Sequence, residues 1–198
     1  EYADRTGFAL AAEDDEERLA ATINESIMAQ FAVGEPQEAL IGSLMISAMY
    51  GALFHQNFAV QLGQWNLVDW PLAMQPIMAA SYYNRAEEEA IKQNFDEKAE
   101  ELCLEKTDVP QAWPAWSQLA YRTETSLKAV MAQELGLNTD NLPATLRIMV
   151  CGAQSGQRAM ELAQYLNDVE VIAVDESLAN IAKGTRMAQS LNMDNIVF

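Results

Sequence analysis

Cysteine, histidine and positive charge are all scarce in this chain of 198 residues. Cys103 and Cys151 are its two cysteines, His55 is its one histidine, and 12 Lys and Arg stand against 29 Asp and Glu. The cysteines lie far apart and neither has a metal-binding neighbour at a ligand spacing, so no structural disulfide or zinc site is expected. A net charge of −17 argues against a nucleic-acid groove, because phosphate recognition needs clustered Lys and Arg. A basic substrate stays open. No long uninterrupted apolar run exists either: Ala39 to Leu62 carries Ser43, Ser47, His55, Gln56, Asn57 and Gln61. That is too much polarity for a bilayer centre, and a buried helix of a non-membrane protein is expected. The opening Glu1-Tyr-Ala-Asp-Arg lacks the basic-then-apolar pattern of a signal segment. The expectation is a cytoplasmic protein trimmed at both ends.

What is present is apolar residue in quantity, 50% of the chain, enough for a sizeable core. Leu19, Ile23, Ile27 and Phe31 recur every four residues, which predicts an amphipathic helix from about Asp14, its first turn crowded with acids that suit the helix dipole. Gly34-Glu-Pro36 breaks that pattern, and a second helix is predicted from Pro36 to Leu62. A third runs from Pro71 to about Asn84, and a fourth from Ala86 to Leu104 with Glu87, Glu88 and Glu89 at a solvated start. After a loop with Pro110, Trp113, Pro114 and Trp116, a fifth is predicted from Ser117 to Leu135, closed by Gly136. Turn chemistry between Gly136 and Thr145 places a boundary there, so residues 1–142 form a helical N-terminal domain and 143–198 a second domain. No repeat of helical pairs is visible.

The second domain has the alternation of an α/β fold. Leu146 to Cys151 is a strand, Gly152-Ala-Gln-Ser-Gly156 a turn, and Ala159, Leu162, Ala163 and Leu166 mark a helix. A strand from Val169 to Val174 ends on Asp175, another helix follows, and Ile196 to Phe198 begins a third strand. Glycines in a strand-turn-helix unit let backbone N–H groups approach a ligand closely. An acid about twenty residues on, at the tip of the second strand, can accept hydrogen bonds from both hydroxyls of a ribose. Asp175 follows Gly156 by 19 residues, and the joint order points to an adenosine-type ligand. The expected architecture is the first half of a Rossmann-like doubly wound parallel sheet behind an all-α part.

The stretches Ile148-Met-Val-Cys-Gly-Ala-Gln-Ser-Gly-Gln157, Met160-Glu-Leu-Ala163, Val171-Ile-Ala-Val-Asp-Glu-Ser177 and Leu191-Asn-Met-Asp-Asn-Ile-Val-Phe198 resemble class I S-adenosylmethionine-dependent methyltransferases. The resemblance is to bacterial types whose catalytic domain follows a helical region, sometimes built of tetratricopeptide repeats. Trp113-Pro-Ala-Trp116 echoes a Trp- and Pro-containing loop upstream of that domain. It implies S-adenosylmethionine as cofactor, with Gly152, Ala153, Gln154, Ser155 and Gly156 forming the loop under its methionine part. Asp175 would hold the ribose hydroxyls and Glu176 would lie beside the adenine. Two positions depart from the family: Gln154 replaces its middle glycine, and Val150 stands where many relatives carry an acid. Both predict weakened or lost binding. The family's seven-stranded sheet would also continue beyond three strands, so a fragment, or a covered sheet edge, is expected. No catalytic residue can be named, and the methyl acceptor is unknown.

A degenerate, non-catalytic methyltransferase fold kept for protein contacts through the helical half is the alternative. A third reading is a nicotinamide-dependent short-chain dehydrogenase, whose Thr-Gly-x-x-x-Gly-x-Gly turn Cys151 to Gln157 resembles, although Arg158 replaces the last glycine. His55 lies in an apolar helix without a Ser, Asp or Cys partner, so a satisfied or partly buried histidine is expected. No metal site is expected, Glu87 to Glu89 being read as a solvated helix start. Trp65, Trp70, Trp113 and Trp116 are assigned to packing, with an aromatic substrate surface as the other use. The ten methionines are read as adaptable core filler or as a partner-binding groove.

Overall fold

A computed structural model describes residues 12–101, 116–120 and 123–198. Cys103, Trp113, Pro114 and the predicted helix end at Leu104 lie outside the described residues. The chain divides between Glu87 and Glu88 into two units, a division earlier than the turn-rich segment around Leu142.

In the first unit, helix α1 spans Asp14–Val33. Its start is a reciprocal cap: the Glu13 N–H donates to Glu16 Oε2 at 3.0 Å, and Asp14, Asp15, Glu16 and Glu17 crowd the positive end of the dipole. Gly34 closes it, and Pro36 leads into α2, Gln37–Tyr50. With only three residues between them, the two helices form an antiparallel hairpin. α1 is six residues longer, an overhang of about 9 Å. Ile27 is fully buried, but Leu19 of the predicted stripe is 58% exposed.

The helix predicted through Leu62 stops twelve residues early. After Tyr50 the backbone is extended at Gly51, and the chain turns into a short 3₁₀ helix at Leu53–His55 and then α3, Ala59–Leu62. A tertiary bond ends α2, since the Leu53 N–H donates to the buried Ser81 Oγ at 2.8 Å. An apolar run does not distinguish a long helix from buried turns.

The predicted break near Asn84 is absent. α4, Gln75–Met78, passes through a π-helical turn at Ala79–Tyr83 straight into α5, Asn84–Glu101. The wider turn brings two consecutive tyrosines to the core. Tyr82 is buried; the Tyr83 hydroxyl donates to Trp65 O and accepts from Trp70 Nε1, both at 2.8 Å. Burial raises the pKa of Tyr82. It also raises that of Tyr83, opposed by the Trp70 hydrogen bond and reinforced by Tyr82 and Asp69. Around them pack Ile27, Leu40, Leu44, Leu53, Phe58, Leu62, Trp70, Met74 and Met78. Glu87 to Glu89 therefore lie within a running helix, not at its start.

In the second unit, α6 spans Leu127–Leu135, ten residues shorter than the helix predicted from Ser117. Thr125 is held extended by a bridge to Leu166, with its N–H on Tyr165 O at 2.9 Å. Ser126 caps α6 through Ala129 N–H. Asp168 receives the Leu127 N–H at 2.6 Å and that of Lys128 at 3.2 Å. Gly136 ends the helix as predicted, in the left-handed conformation.

β1 (Leu146–Cys151), α7 (Gln157–Tyr165), β2 (Val169–Val174), α8 (Leu178–Ser190) and β3 (Ile196–Val197) follow. The strands form a parallel sheet in the order β1-β2-β3, with Leu146 opposite Val169, Cys151 opposite Val174 and Val171 opposite Ile196. Alternation sorts the faces. Val169, Val171, Ala173 and Ile196 are buried with Ala159, Met160 and Ala163 of α7 and Met187 and Ala188 of α8. Arg147, Met149, Cys151, Glu170, Val174 and Val197 are exposed on the other face. The architecture is a helical part followed by a small parallel α/β part.

Candidate functional site

The turn after β1 is built for backbone reach. Gly152 and Gly156 have φ of 64° and 86°, a region open to glycine, and between them Gln154 is held at 52°. A non-glycine residue there is strained by about 1–2 kcal/mol. The Ala153 N–H donates to Val174 O at 3.0 Å and the Gly156 N–H to Ala153 O at 3.0 Å, pinning the turn to the end of β2. A Cβ added at Gly152 would meet no heavy atom within 4 Å, so this side of the turn is open.

Asp175 sits beside the turn, as its position at the tip of β2 predicts, and its carboxylate is already engaged. Oδ2 accepts the Gln154 N–H at 2.7 Å; Oδ1 accepts the Ser177 N–H at 3.0 Å and Asn180 Nδ2 at 2.9 Å. Three donors leave about one acceptor position of a carboxylate's four. Gln154 exposes its side chain and uses its backbone N–H, so it is bound to the site's acid through the main chain. Glu176 is exposed.

Ser155 and Gly156 serve packing. Ser155 is fully buried, and Trp116 Nε1 donates to its Oγ at 2.9 Å and to its carbonyl at 3.1 Å. The Phe198 ring lies where a Cβ at Gly156 or Gly184 would stand. Asn180 and Phe198 are the participants the sequence reading missed. The Asp175-x-Ser177-x-x-Asn180 spacing carried a signal for Asn180, since Ser177 caps α8 through the Asn180 N–H and so turns that residue back over Asp175. Nothing local signalled Phe198.

The other candidates lie elsewhere. His55 is exposed, edge-on to Phe54 at 5.4 Å between ring centroids, rather than partly buried in a long helix. Cys151 is a free, exposed thiol. Trp70 is buried in the first unit's core, edge-on to Trp65 at 5.4 Å. Among the described residues no group of His, Cys, Asp and Glu is arranged to hold a metal, and no helix is long and apolar enough to cross a membrane. A cleft of about 400 Å³ lined by Leu119, Ala163, Gln164 and residues 191–195 is formed at the segment entering β3, not at the glycine turn. No protein-family profile and no curated protein sequence matches this chain.

Proposed function

We propose that residues 143–198, within the second unit, are the opening half of a Rossmann-like domain that binds S-adenosylmethionine, and that the chain belongs to a methyl-transfer enzyme. The observation that carries this reading is the junction of the glycine turn with Asp175 at the carboxyl ends of two adjacent parallel strands, where ligands of open α/β sheets bind. The open side of Gly152 has room for a ligand to approach, and the remaining acceptor position of Asp175 suits a ribose hydroxyl. The cofactor's sulfonium is already activated, so the turn and the carboxylate would contribute orientation.

The test is calorimetric titration of S-adenosylhomocysteine into the chain. Saturable binding is expected. Asp175→Ala should weaken it by about 1–3 kcal/mol, as for a lost hydrogen bond to a charged group. Because Asp175 also ties down the turn, Gly152→Asn is the companion variant: asparagine tolerates a positive φ, and its side chain would fill the open space without removing a turn bond. It should abolish binding. Binding of NAD in place of S-adenosylhomocysteine would turn the assignment to a dehydrogenase. Silence of both would sink the cofactor reading and leave the non-catalytic module, which the engaged carboxylate and the Phe198 ring at Gly156 favour.

A further inference from the structure

Helix α2 is apolar almost all round, yet it is not enclosed. Glu38 is its one charged residue. Leu40, Leu44 and Ser47 are buried on the hairpin side, whereas Met45 is 44%, Ile46 41% and Met49 64% exposed. With Gly42, which has open space where a side chain would be, these residues occupy i, i+3, i+4 and i+7 of one face. A helix apolar on every side is normally buried, and a contiguous exposed apolar stripe marks an interaction surface.

Charge decides what covers it. From Leu19 to Asn84 there is no Lys or Arg, and over residues 12–87 ten acids stand against Arg18 and Arg85. Glu35 and Glu38 are exposed at the amino end of the stripe. A second copy would bring a further −17 against this face, which like-charge repulsion opposes. We propose that the Gly42-Met45-Ile46-Met49 face of α2 docks a basic amphipathic helix from another protein. Methionine thioethers adapt to varied apolar side chains, the gap at Gly42 admits a bulky one, and the acidic surroundings attract its Lys and Arg.

The experiment uses the full chain and a fluorescent peptide of about 18 residues, with Leu at i, i+3, i+4 and i+7 and Lys elsewhere, long enough for about five turns. Anisotropy should show saturable one-to-one binding. Met45→Gln with Met49→Gln should weaken it by about tenfold or more, as for loss of central apolar anchors, while Met45→Leu with Met49→Leu should retain it. Peroxide footprinting should show the peptide protecting Met45 and Met49 but not Met149, which is also exposed. That readout decides the matter if the glutamine variant fails to fold. Absent binding, equal binding of the glutamine variant, or equal binding of a Lys/Ser peptide without leucines would overturn the proposal. So would equal binding of a Leu/Glu peptide, or a dimer in sedimentation that the glutamine variant disrupts, which would make the occupant a second copy.

Discussion

Asp175 shows how one side chain can order a whole turn. Its carboxylate gathers two backbone N–H groups and Asn180 Nδ2, and so holds the glycine turn against the start of α8. The strain at Gln154, with φ 52°, is sustained by that same network. Gln154→Gly is expected to raise stability by roughly 0.5–1 kcal/mol, because glycine occupies this conformation without steric cost. Gln154→Val should lower it by about 1–3 kcal/mol, a β-branched side chain being least tolerated there. Urea unfolding measures both; a destabilised glycine variant would mean that the glutamine side chain itself contributes bonding. Asp175 was legible in the sequence from its spacing after the glycines. Its occupation by protein donors was not, because backbone N–H groups carry no residue signature.

At the scale of elements, packing overrides local preference in two places. Gly184 lies inside α8, where alanine would ordinarily stabilise a helix by about 1 kcal/mol. Here the Phe198 ring occupies that space, so Gly184→Ala should destabilise by about 1–3 kcal/mol. In a Phe198→Ala background the same change should become neutral or stabilising, and a double-mutant cycle showing no coupling would refute the contact. The second place is the π-helical turn with Tyr82 and Tyr83. Burial raises both pKa values, so the neutral phenols stabilise the fold fully below the ordinary value of 10.0. That contribution is lost as pH rises through the higher folded values, since the unfolded chain releases these protons first. The thermal midpoint of the first unit should fall above about pH 10, and Tyr83→Phe should flatten that fall. An unchanged alkaline limb in the variant would remove Tyr83 from the explanation. The sequence announced one helix from Pro71 and another from Ala86, but a run of aromatics and small residues does not reveal that the two join.

At the scale of the whole molecule, a charge of −17 repels itself, and the described ion pairs include the exposed Arg147 and Glu170 at 3.0 Å, which contribute little. Raising salt from about 10 to about 150 mM shortens the screening length from roughly 30 to 8 Å. The melting temperature should rise by a few degrees, about 1 kcal/mol for a chain of this size; a fall would show that local charge pairs and helix-end acids outweigh the repulsion. The sequence alone determined the helical first part, the three strands, the glycine turn and its acid. All of these are written in four-residue recurrences, short apolar runs and short spacings, which the backbone obeys without distant help. Tertiary structure decided where α2 stops, that α4 and α5 are continuous, that Thr125 is extended, and that Phe198 fills the space beside Gly156 and Gly184. Those outcomes depend on pairings such as Leu53 with Ser81 and Thr125 with Leu166, whose partners are far apart along the chain. No local pattern encodes a contact whose energy arises only when both segments have already folded.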